Sequence, residues 1–192
     1  MTLMLKPDIN PNHASMLTLV TAMAVANAMH RVTGAEALIK WPNDIVINGK
    51  KICGILTEMS AQFDYINHIV IGIGINVHNE SFPEELQDHA GSLLLECGKR
   101  VHRADLIEAF LEEFERLYAI YLKTEDLSAL QEEYDQLLVN RGRQVRVLDP
   151  KEPFEGKAMG ITKKGELIVD TWESRKLVSS GEVSVRGIYG YV

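Results

Sequence analysis

The stretch KWPNDIVINGKKICGIL, residues 40–56, contains a turn that fixes the pairing of its neighbourhood. Asn48-Gly49 separates two runs rich in β-branched residues, and this dipeptide is typical of a two-residue type I′ turn, in which both central residues have positive φ. The sequence therefore predicts a β-hairpin with a defined register. The predicted pairs are Ile47 with Lys50, Val46 with Lys51, Ile45 with Ile52, and Asp44 with Cys53.

One face of the predicted hairpin carries both a carboxylate and an ammonium group. Strict alternation of side chains places on this face Asp44, Val46, Lys51, Cys53 and Ile55. Asp44 and Lys51 are diagonal neighbours there. They can form a surface ion pair, or they can bracket an anionic ligand, the lysine directly and the carboxylate through Mg²⁺. This stretch alone leaves both interpretations open.

Length, charge and cysteine content narrow the class of protein. A chain of 192 residues favours a main domain with a small appendage, and 46% hydrophobic residues are enough for a core. The formal net charge of −7, with no stripe of basic residues, argues against a nucleic-acid partner. Cys53 and Cys97 have neither metal-ligand nor redox spacing, so reduced thiols in a cytoplasmic protein are expected.

The N-terminal region is apolar without resembling a membrane segment. Residues 2–6 predict a strand, and a helix is expected from about Ala14 to Val32, closed by Gly34. The apolar run at 16–29 is too short to span a bilayer, and no basic region precedes it. A buried helix is therefore predicted, with no targeting or membrane-spanning role.

A second strand is predicted over HIVIGIGINV, residues 68–77. Its isoleucines alternate onto one face, while Gly72, Gly74 and Asn76 lie on the other. Paired glycines in a strand indicate that a ligand or another backbone approaches closely. A dinucleotide-binding fingerprint is rejected because its third glycine is absent and no helix follows directly.

The C-terminal half predicts two helices and then short strands. The first helix spans about 103–122, with core positions at Leu106, Ala109, Phe110, Phe114, Leu117 and Tyr121. The second covers about 127–138. Short strands within RQVRVLDP, FEGKAMGITKKGELIVDT and LVSSGEVSVRGI then favour a small barrel. We therefore expect two domains, residues 1–140 and residues 141–192.

The polar residues of the main domain favour a reaction that depends on charge neutralisation. Asp44, Lys51 and Asn76 all lie at strand ends, while no serine, histidine or cysteine is arranged as a nucleophile with its base. The six histidines are scattered, which argues against a metal centre built from them. A lysine, a metal-binding carboxylate and an amide suit attack of a carboxylate on a nucleotide α-phosphate. That reaction forms an adenylate.

Four features together resemble the biotin protein ligases: KWPNDIVINGKKICGIL (40–56), VIGIGINV (70–77), AGSL (90–93) and the closing barrel. The resemblance extends over nearly the whole chain. It implies an α/β (α+β) fold, with a mixed-sheet core like that of class II synthetases and a small SH3-like β-barrel. It also implies an enzyme that makes biotinyl-5′-AMP from biotin and ATP, and then attaches biotin to a lysine of a biotin carboxyl carrier protein.

The resemblance also implies roles for individual residues. Lys51 would be the catalytic residue and contact biotin and the α-phosphate, Asp44 would serve Mg²⁺, and Asn76 would hold the adenine end. The remaining pocket residues would be Gly54, Leu56, Gly72 and Gly74. Lys50 is expected to be solvated and Cys53 to lie in the core. A cytoplasmic location and a homodimer are compatible with this family.

The sequence departs from the family pattern at its start. Family members carry a Thr-Ser-Thr-Asn type segment and a Gly-Arg-Gly-Arg-x-Gly-Arg loop ahead of the strand matching residues 2–6, and this sequence begins after both. An incomplete pocket, an unpaired sheet edge and an inactive isolated polypeptide are expected. The alternatives are a non-catalytic remnant that binds carrier protein or adenylate and, less favoured, a lipoate ligase. The winged helix of the repressor-type members is also absent, in agreement with the acidic charge.

Overall fold

A computed structural model gives the fold and describes residues 1–149, 152–181, 184–187 and 191–192. The helices are α1 (Met16–Thr33), α2 (Leu93–Cys97), α3 (Arg103–Thr124) and α4 (Gln131–Leu137), with short 3₁₀ turns at Pro11–His13 and Glu84–Leu86. The strands of the first half are β1 (Thr2–Leu5), β2 (Leu38–Lys40), β3 (Asp44–Ile47), β4 (Lys50–Gln62) and β5 (Tyr65–Ile75). Those of the second half are β6 (Gln144–Leu148), β7 (Phe154–Ile161), β8 (Leu167–Asp170), β9 (Arg175–Val178) and β10 (Ser184–Gly187).

The first sheet has five strands in the order β1-β5-β4-β3-β2. Its neighbouring strands all pair in antiparallel orientation. Two isolated parallel bridges also occur within the described residues, between Ile39 and Leu138 and between Lys51 and Ala90. The strand predicted at 68–77 is present with different ends: it begins earlier, at Tyr65, because β4 and β5 form one long hairpin, and it ends at Ile75, so Asn76 and Val77 follow the strand. This hairpin provides the surface on which the site is built.

The core lies between this sheet and the helices. Ile69, Ile71 and Ile73 are buried on one face of β5, as their alternation predicted. Helix α1 is buried over most of its length, because it packs against the sheet and against α3. It ends at Gly34, whose φ of +76° suits glycine. In α3 the six predicted core positions are the buried ones.

The register of the β3–β4 hairpin corrects the sequence-based prediction. Its turn end is confirmed, with Ile47 opposite Lys50 and Val46 opposite Lys51. Beyond that point a β-bulge adds one residue to β4, so Ile45 faces Cys53 and Asp44 faces Gly54. The predicted pairs of Ile45 with Ile52 and of Asp44 with Cys53 are therefore wrong. Strict alternation cannot predict a residue that is inserted into one strand only.

The second sheet has the antiparallel strand order β10-β6-β7-β8-β9. These strands confirm the predicted run of short strands, and together with the first half they confirm the α/β fold class. Within the described residues the strand order is open rather than that of a closed barrel. Residues 150, 182, 183 and 188, which belong to the predicted strand segments, lie outside the described residues.

The two sheets are connected by a buried hydrogen bond. The indole nitrogen of Trp41 donates to the carbonyl oxygen of Gly165 at 3.0 Å, and Trp41 is 1% exposed. Gly165 has a φ of +81° and lies close to Leu19 and Leu127 in the main core. The second sheet is therefore packed directly on the segment KWPND.

Two further predictions concern the whole chain. Across the described part of the chain, no helix is both long enough and apolar enough to cross a membrane. Cys53 and Cys97 are both free thiols, as their spacing predicted. Cys53 is buried in the core, and it lies on the opposite side of β4 from Lys51 because of the bulge.

Candidate active site

The predicted pair of Asp44 and Lys51 is present in the structure. Lys51 Nζ lies 2.5 Å from Asp44 Oδ1, and the Asp44 side chain is 10% exposed while that of Lys51 is 40% exposed. The carboxylate is thus held at the inner end of the pair, and the ammonium group reaches toward solvent. This arrangement leaves the lysine able to contact an anion.

The bulge places the pair beside a strip of glycine. We use the name glycine face for the surface formed by Lys51, Gly54, Leu56, Gly72 and Gly74. Gly54 is paired directly with Gly74, and Leu56 with Gly72. A Cβ on Gly54 would lie 3.2 Å from Lys51 Cε and Nζ, so the lysine crosses directly over this glycine. The predicted pocket residues therefore do share one face.

The same bulge removes two residues from that face. Cys53 and Ile55 were predicted beside Lys51, but Cys53 is 1% exposed and Ile55 is 3% exposed in the core. Leu56, in contrast, is 63% exposed. The extra residue in β4 reverses the side-chain alternation after Lys51, so the face assignment of Cys53 and Ile55 by strict alternation is wrong.

Lys40 completes a buried charge cluster that sequence reasoning missed. Its Nζ lies 3.9 Å from Asp44 Oδ2, and the residue is only 6% exposed. We use the name charge cluster for Lys40, Asp44 and Lys51. Burial lowers the pKa of Lys40, while the Asp44 carboxylate opposes that change. The spacing of four residues between Lys40 and Asp44 was the available signal, but β-strand geometry did not single it out.

Tyr191 is the second missed component. Its hydroxyl group donates a hydrogen bond to Asp44 Oδ2, and Lys40 Nζ lies 4.2 Å from the centroid of its ring. Burial and the neighbouring Asp44 raise the pKa of the Tyr191 phenol, which therefore stays protonated. No sequence signal identifies this contact, because 147 positions separate the two residues.

The remaining residues of KWPND hold the start of β3 in place. The peptide bond between Trp41 and Pro42 is cis. Asn43 clamps the neighbouring strand, because its carbonyl oxygen accepts from the Ile55 N–H at 2.9 Å and its Nδ2 donates to the Ile55 carbonyl at 2.9 Å. Asn43 thus holds the residue before Asp44 against β4 through one backbone and one side-chain hydrogen bond.

A loop segment at 89–91 fixes the backbone of Lys51. The Lys51 N–H donates to the carbonyl oxygen of His89 at 2.7 Å, and the Gly91 N–H donates to the Lys51 carbonyl at 2.9 Å. Asn76 Nδ2 in turn donates to the Gly91 carbonyl oxygen at 3.0 Å. Asn76 thus supports the segment that holds Lys51, while its assignment to the adenine end stays a prediction.

Clefts lie on both sides of the charge cluster. One, of about 290 Å³, is lined by Lys51, Leu86, His89, Ala90, Arg186 and Tyr191. A second, of about 240 Å³, lies between the KWPND segment and three residues of the C-terminal domain, Gly181, Ser184 and Val185. A third, of about 380 Å³, includes Leu56 and the turn at Pro42 and Asn43. The cluster is therefore accessible to a ligand of moderate size.

Asp44 is the residue of the charge cluster that could hold a magnesium ion. Within the described ranges, no group of three or more His, Cys, Asp or Glu side chains is placed to hold a metal ion. Mg²⁺ commonly takes one or two carboxylates together with substrate phosphates. Asp44 fits this pattern, because a carboxylate has about four lone-pair sites and its contacts with Lys51 and Tyr191 use two of them.

Comparison with known proteins identifies the family of this arrangement. The sequence model of the biotin/lipoate A/B protein ligase family matches residues 1–76, and that of the biotin protein ligase C-terminal domain matches residues 142–186. The two matches include the hairpin, the glycine strand and most of the second sheet.

Curated relatives and solved structures agree. A bifunctional ligase/repressor BirA of Bacillus spizizenii is 39% identical over 187 residues, which are 96% of this chain and 57% of that protein. A biotin–[acetyl-CoA-carboxylase] ligase of Paracoccus denitrificans is 27% identical, covering 97% of this chain and 79% of the relative. The Aquifex aeolicus biotin protein ligase in complex with biotin and ATP superposes with a TM-score of 0.85 at 28% identity, covering 97% and 77% of the two chains. The chain spans just over half the length of the Bacillus protein, and it belongs to the biotin protein ligase family.

Proposed function

We propose that this chain carries the catalytic machinery for ATP-dependent attachment of biotin to a lysine of a biotin carboxyl carrier protein. The observation that carries the proposal is the charge cluster lying beside the glycine face. Lys51 crosses over Gly54 at a point where the paired glycines leave the strands bare. A flat ligand can lie on such a surface with its anionic group against the lysine.

The first step would join biotin to AMP. A biotin carboxylate oxygen forms a bond to the α-phosphorus of ATP, and the bond from that phosphorus to the pyrophosphate oxygen breaks. Negative charge develops on the phosphoryl oxygens during this exchange, and the Lys51 ammonium stabilises it. Mg²⁺, held by Asp44 and the phosphates, would neutralise charge on the departing pyrophosphate. Lys40 adds a second, buried positive charge behind Asp44.

The second step would transfer biotin to the carrier protein. The neutral ε-amine of the carrier lysine attacks the acyl carbon of biotinyl-5′-AMP, the bond between that carbon and the AMP oxygen breaks, and the amine nitrogen releases a proton to water as the amide forms. AMP leaves as an anion, which the same ammonium group of Lys51 would stabilise. The chain itself then contributes orientation and charge rather than a covalent intermediate.

Biotin is favoured over lipoate as the substrate. The family model that matches residues 1–76 includes both ligase types, but the model that matches residues 142–186 is specific to biotin protein ligases. The Aquifex aeolicus structure with a TM-score of 0.85 holds biotin and ATP. Both observations support the biotin branch.

Domain boundaries and cellular context complete the proposal. We place the boundary between residues 1–140 and residues 141–192, which is supported by the start of the C-terminal family match at residue 142 and of β6 at Gln144. The reaction is proposed to take place in the cytoplasm, in agreement with the free thiols. A homodimer stays a prediction from the family resemblance.

The proposal is tested by following the mass of a carrier domain. The 192-residue chain, and a chimera in which the region preceding the match in the Paracoccus ligase is placed before Met1, are each incubated with biotin, ATP, Mg²⁺ and the carrier. The chimera is expected to biotinylate the carrier, and a carrier whose acceptor lysine is changed to arginine serves as the control. Lipoic acid in place of biotin is expected to give no product. A chimera that binds the carrier but leaves its mass unchanged would favour the non-catalytic alternative.

A further inference from the structure

The end of the chain lies against the charge cluster. We use the name C-terminal tail for Tyr191 and Val192. The Tyr191 hydroxyl donates to Asp44, its ring faces Lys40, and its centroid is 5.8 Å from that of His89. Val192 Cγ2 lies 3.5 Å from the position that a Cβ would take on Gly49. The tail thus contacts β2, β3, the β3–β4 turn and the loop that pairs with Lys51.

Tyr191 donates a hydrogen bond to one oxygen of a buried carboxylate. Asp44 is 7% exposed, so each of its oxygens needs a partner inside the protein. Oδ1 is paired with Lys51, whereas Lys40 is 3.9 Å from Oδ2, beyond hydrogen-bond distance. The phenol supplies the hydrogen bond that Oδ2 would otherwise lack.

Because the phenol of Tyr191 is neutral, its hydrogen bond to Asp44 leaves the net charge of the site unchanged. The charge cluster contains two ammonium groups and one carboxylate, which gives a net charge of +1. A neutral phenol satisfies Asp44 without altering that charge, and the face of its ring favours the charged form of Lys40. An additional cation or anion at this position would change the affinity of the cluster for phosphate.

The contact is not explained by the part of the chain that matches the family. The C-terminal domain model matches residues 142–186, so the tail lies beyond it. The tail nevertheless reaches the KWPND segment, which is the most distinctive motif of the match. A residue that follows the second sheet in the sequence therefore contacts the site on the first sheet.

We propose that Tyr191 is a positioning residue of the ligase site, which holds Asp44 so that Asp44 in turn directs Lys51 toward the phosphates of ATP. The inference rests on the proposed function, because it needs ATP as the ligand. It extends that function by assigning to the C-terminal tail a part in nucleotide binding through the charge cluster.

A double-mutant cycle tests this assignment in the chimera with the Paracoccus segment, because the 192-residue chain alone is expected to have an incomplete pocket. Tyr191→Phe removes only the hydroxyl group, Asp44→Ala removes its acceptor, and both changes are also combined. Tyr65→Phe, at the half-exposed tip of the β4–β5 hairpin, is the matched control. Calorimetry measures the affinity for ATP with Mg²⁺ and, separately, for biotin, and circular dichroism gives the melting temperature.

Tyr191→Phe is expected to weaken ATP binding, and this effect is expected to depend on the presence of Asp44. Tyr191→Phe should weaken ATP binding by about threefold to tenfold, change biotin binding less, and lower the melting temperature by about 2 to 4 °C. Both effects should vanish in the Asp44→Ala background, since the phenol acts through Asp44. Tyr65→Phe should change neither quantity.

Any of four outcomes would overturn the inference. Unchanged ATP affinity in Tyr191→Phe would make the contact merely structural, and tighter ATP binding would make the tail an obstruction. An effect that persists in the Asp44→Ala background would mean that Tyr191 does not act through Asp44. A chimera without these substitutions that binds no ATP would instead refute the proposed function, and the inference with it.

Discussion

The two faces of the β4–β5 strand pair have opposite chemistry although they alternate along the same strands. One face carries Ile55, Ile71 and Ile73, all buried against the helices. The other is the glycine face, with Gly54 paired to Gly74 and Leu56 to Gly72. The filled face supplies packing energy, and the bare face leaves room for a ligand to approach the backbone.

The bulge in β4 is what joins the charge cluster to the bare face. Without the extra residue, Lys51 would share its face with Cys53 and Ile55. With it, Lys51 lies over Gly54 and beside Asp44. The packing residues and the proposed ligand contacts thus lie on opposite faces, and a single inserted residue decides on which face the lysine lies. The predictions below test this separation.

The largest effect on stability is expected from the filled face. Ile71 is fully buried, and Ile71→Ala should lower the free energy of unfolding by about 2 to 5 kcal/mol, because it removes apolar contacts and leaves a cavity. Urea denaturation followed by circular dichroism measures the change. A loss well below 1 kcal/mol would show that this face is not the core.

The largest effect on function is expected from Lys51. In the chimera with the Paracoccus segment, Lys51→Ala should reduce the rate of biotinyl-5′-AMP formation by about a hundredfold or more, equivalent to about 2.7 kcal/mol or more of lost transition-state stabilisation. Lys50→Ala is the matched control, since Lys50 Nζ contacts the carbonyl oxygen of Gln87 at the exposed surface. Its rate should fall by less than about tenfold. Equal losses in the two variants would contradict the face assignment.

Gly72→Ala, on the glycine face, should lower biotin affinity without lowering stability. A Cβ at this position meets only the Leu56 carbonyl oxygen, at 3.8 Å, so the fold accepts it. The free energy of unfolding should stay the same or rise by up to about 1 kcal/mol, because alanine restricts the unfolded chain. Biotin affinity, measured by calorimetry, should fall by about tenfold, since the methyl group projects into the space proposed for the ligand. Unaltered affinity would place biotin elsewhere.

Asn76→Ala should have a moderate effect on the loop that pairs with Lys51. Loss of the 3.0 Å hydrogen bond to the Gly91 carbonyl should cost about 0.5 to 1.5 kcal/mol in unfolding free energy. If Asn76 also contacts adenine, ATP affinity should fall much more than biotin affinity. Equal changes in the two affinities would leave Asn76 with its supporting role alone.

The last prediction concerns the reactivity of the two thiols. It tests whether the bulge places Cys53 in the core. Burial raises the pKa of Cys53 to about 12, so almost no thiolate is present at pH 8. Cys97 is only partly buried. Brief treatment of the folded chain with iodoacetamide should therefore modify Cys97 and spare Cys53, as peptide mass spectrometry would show. Rapid modification of Cys53 would place it on the glycine face after all.

Much of the fold could be predicted because its signals are local. The Asn48-Gly49 turn, the alternating isoleucines of β5 and the helical spacing of α3 each predict their element without reference to the rest of the chain. The bulge could not be predicted, since it depends on how β3 and β4 are both held by neighbouring segments. Asn43 bonds to Ile55 beyond the bulge, and His89 bonds to Lys51 before it.

The candidate site was predicted to the extent that its residues lie on one hairpin. Asp44, Lys51 and Gly54 belong to one continuous motif, so sequence spacing and family resemblance both identified them. Lys40 was missed because its ammonium group is buried beside the ring of Tyr191, and Tyr191 because its partner lies 147 positions away. Contacts of this kind are created by the docking of the two sheets, which no periodicity in either one reveals.

The central claim is that the glycine face is the ligand surface and that Lys51 is its phosphate contact. A crystal structure of the chimera with a non-hydrolysable analogue of biotinyl-5′-AMP would test it most directly. We expect a phosphate oxygen within hydrogen-bond distance of Lys51 Nζ, at about 2.7 to 3.2 Å. We also expect the ligand to lie across Gly54 and Gly74. A ligand bound away from these glycines, with Lys51 still directed only at Asp44, would contradict it.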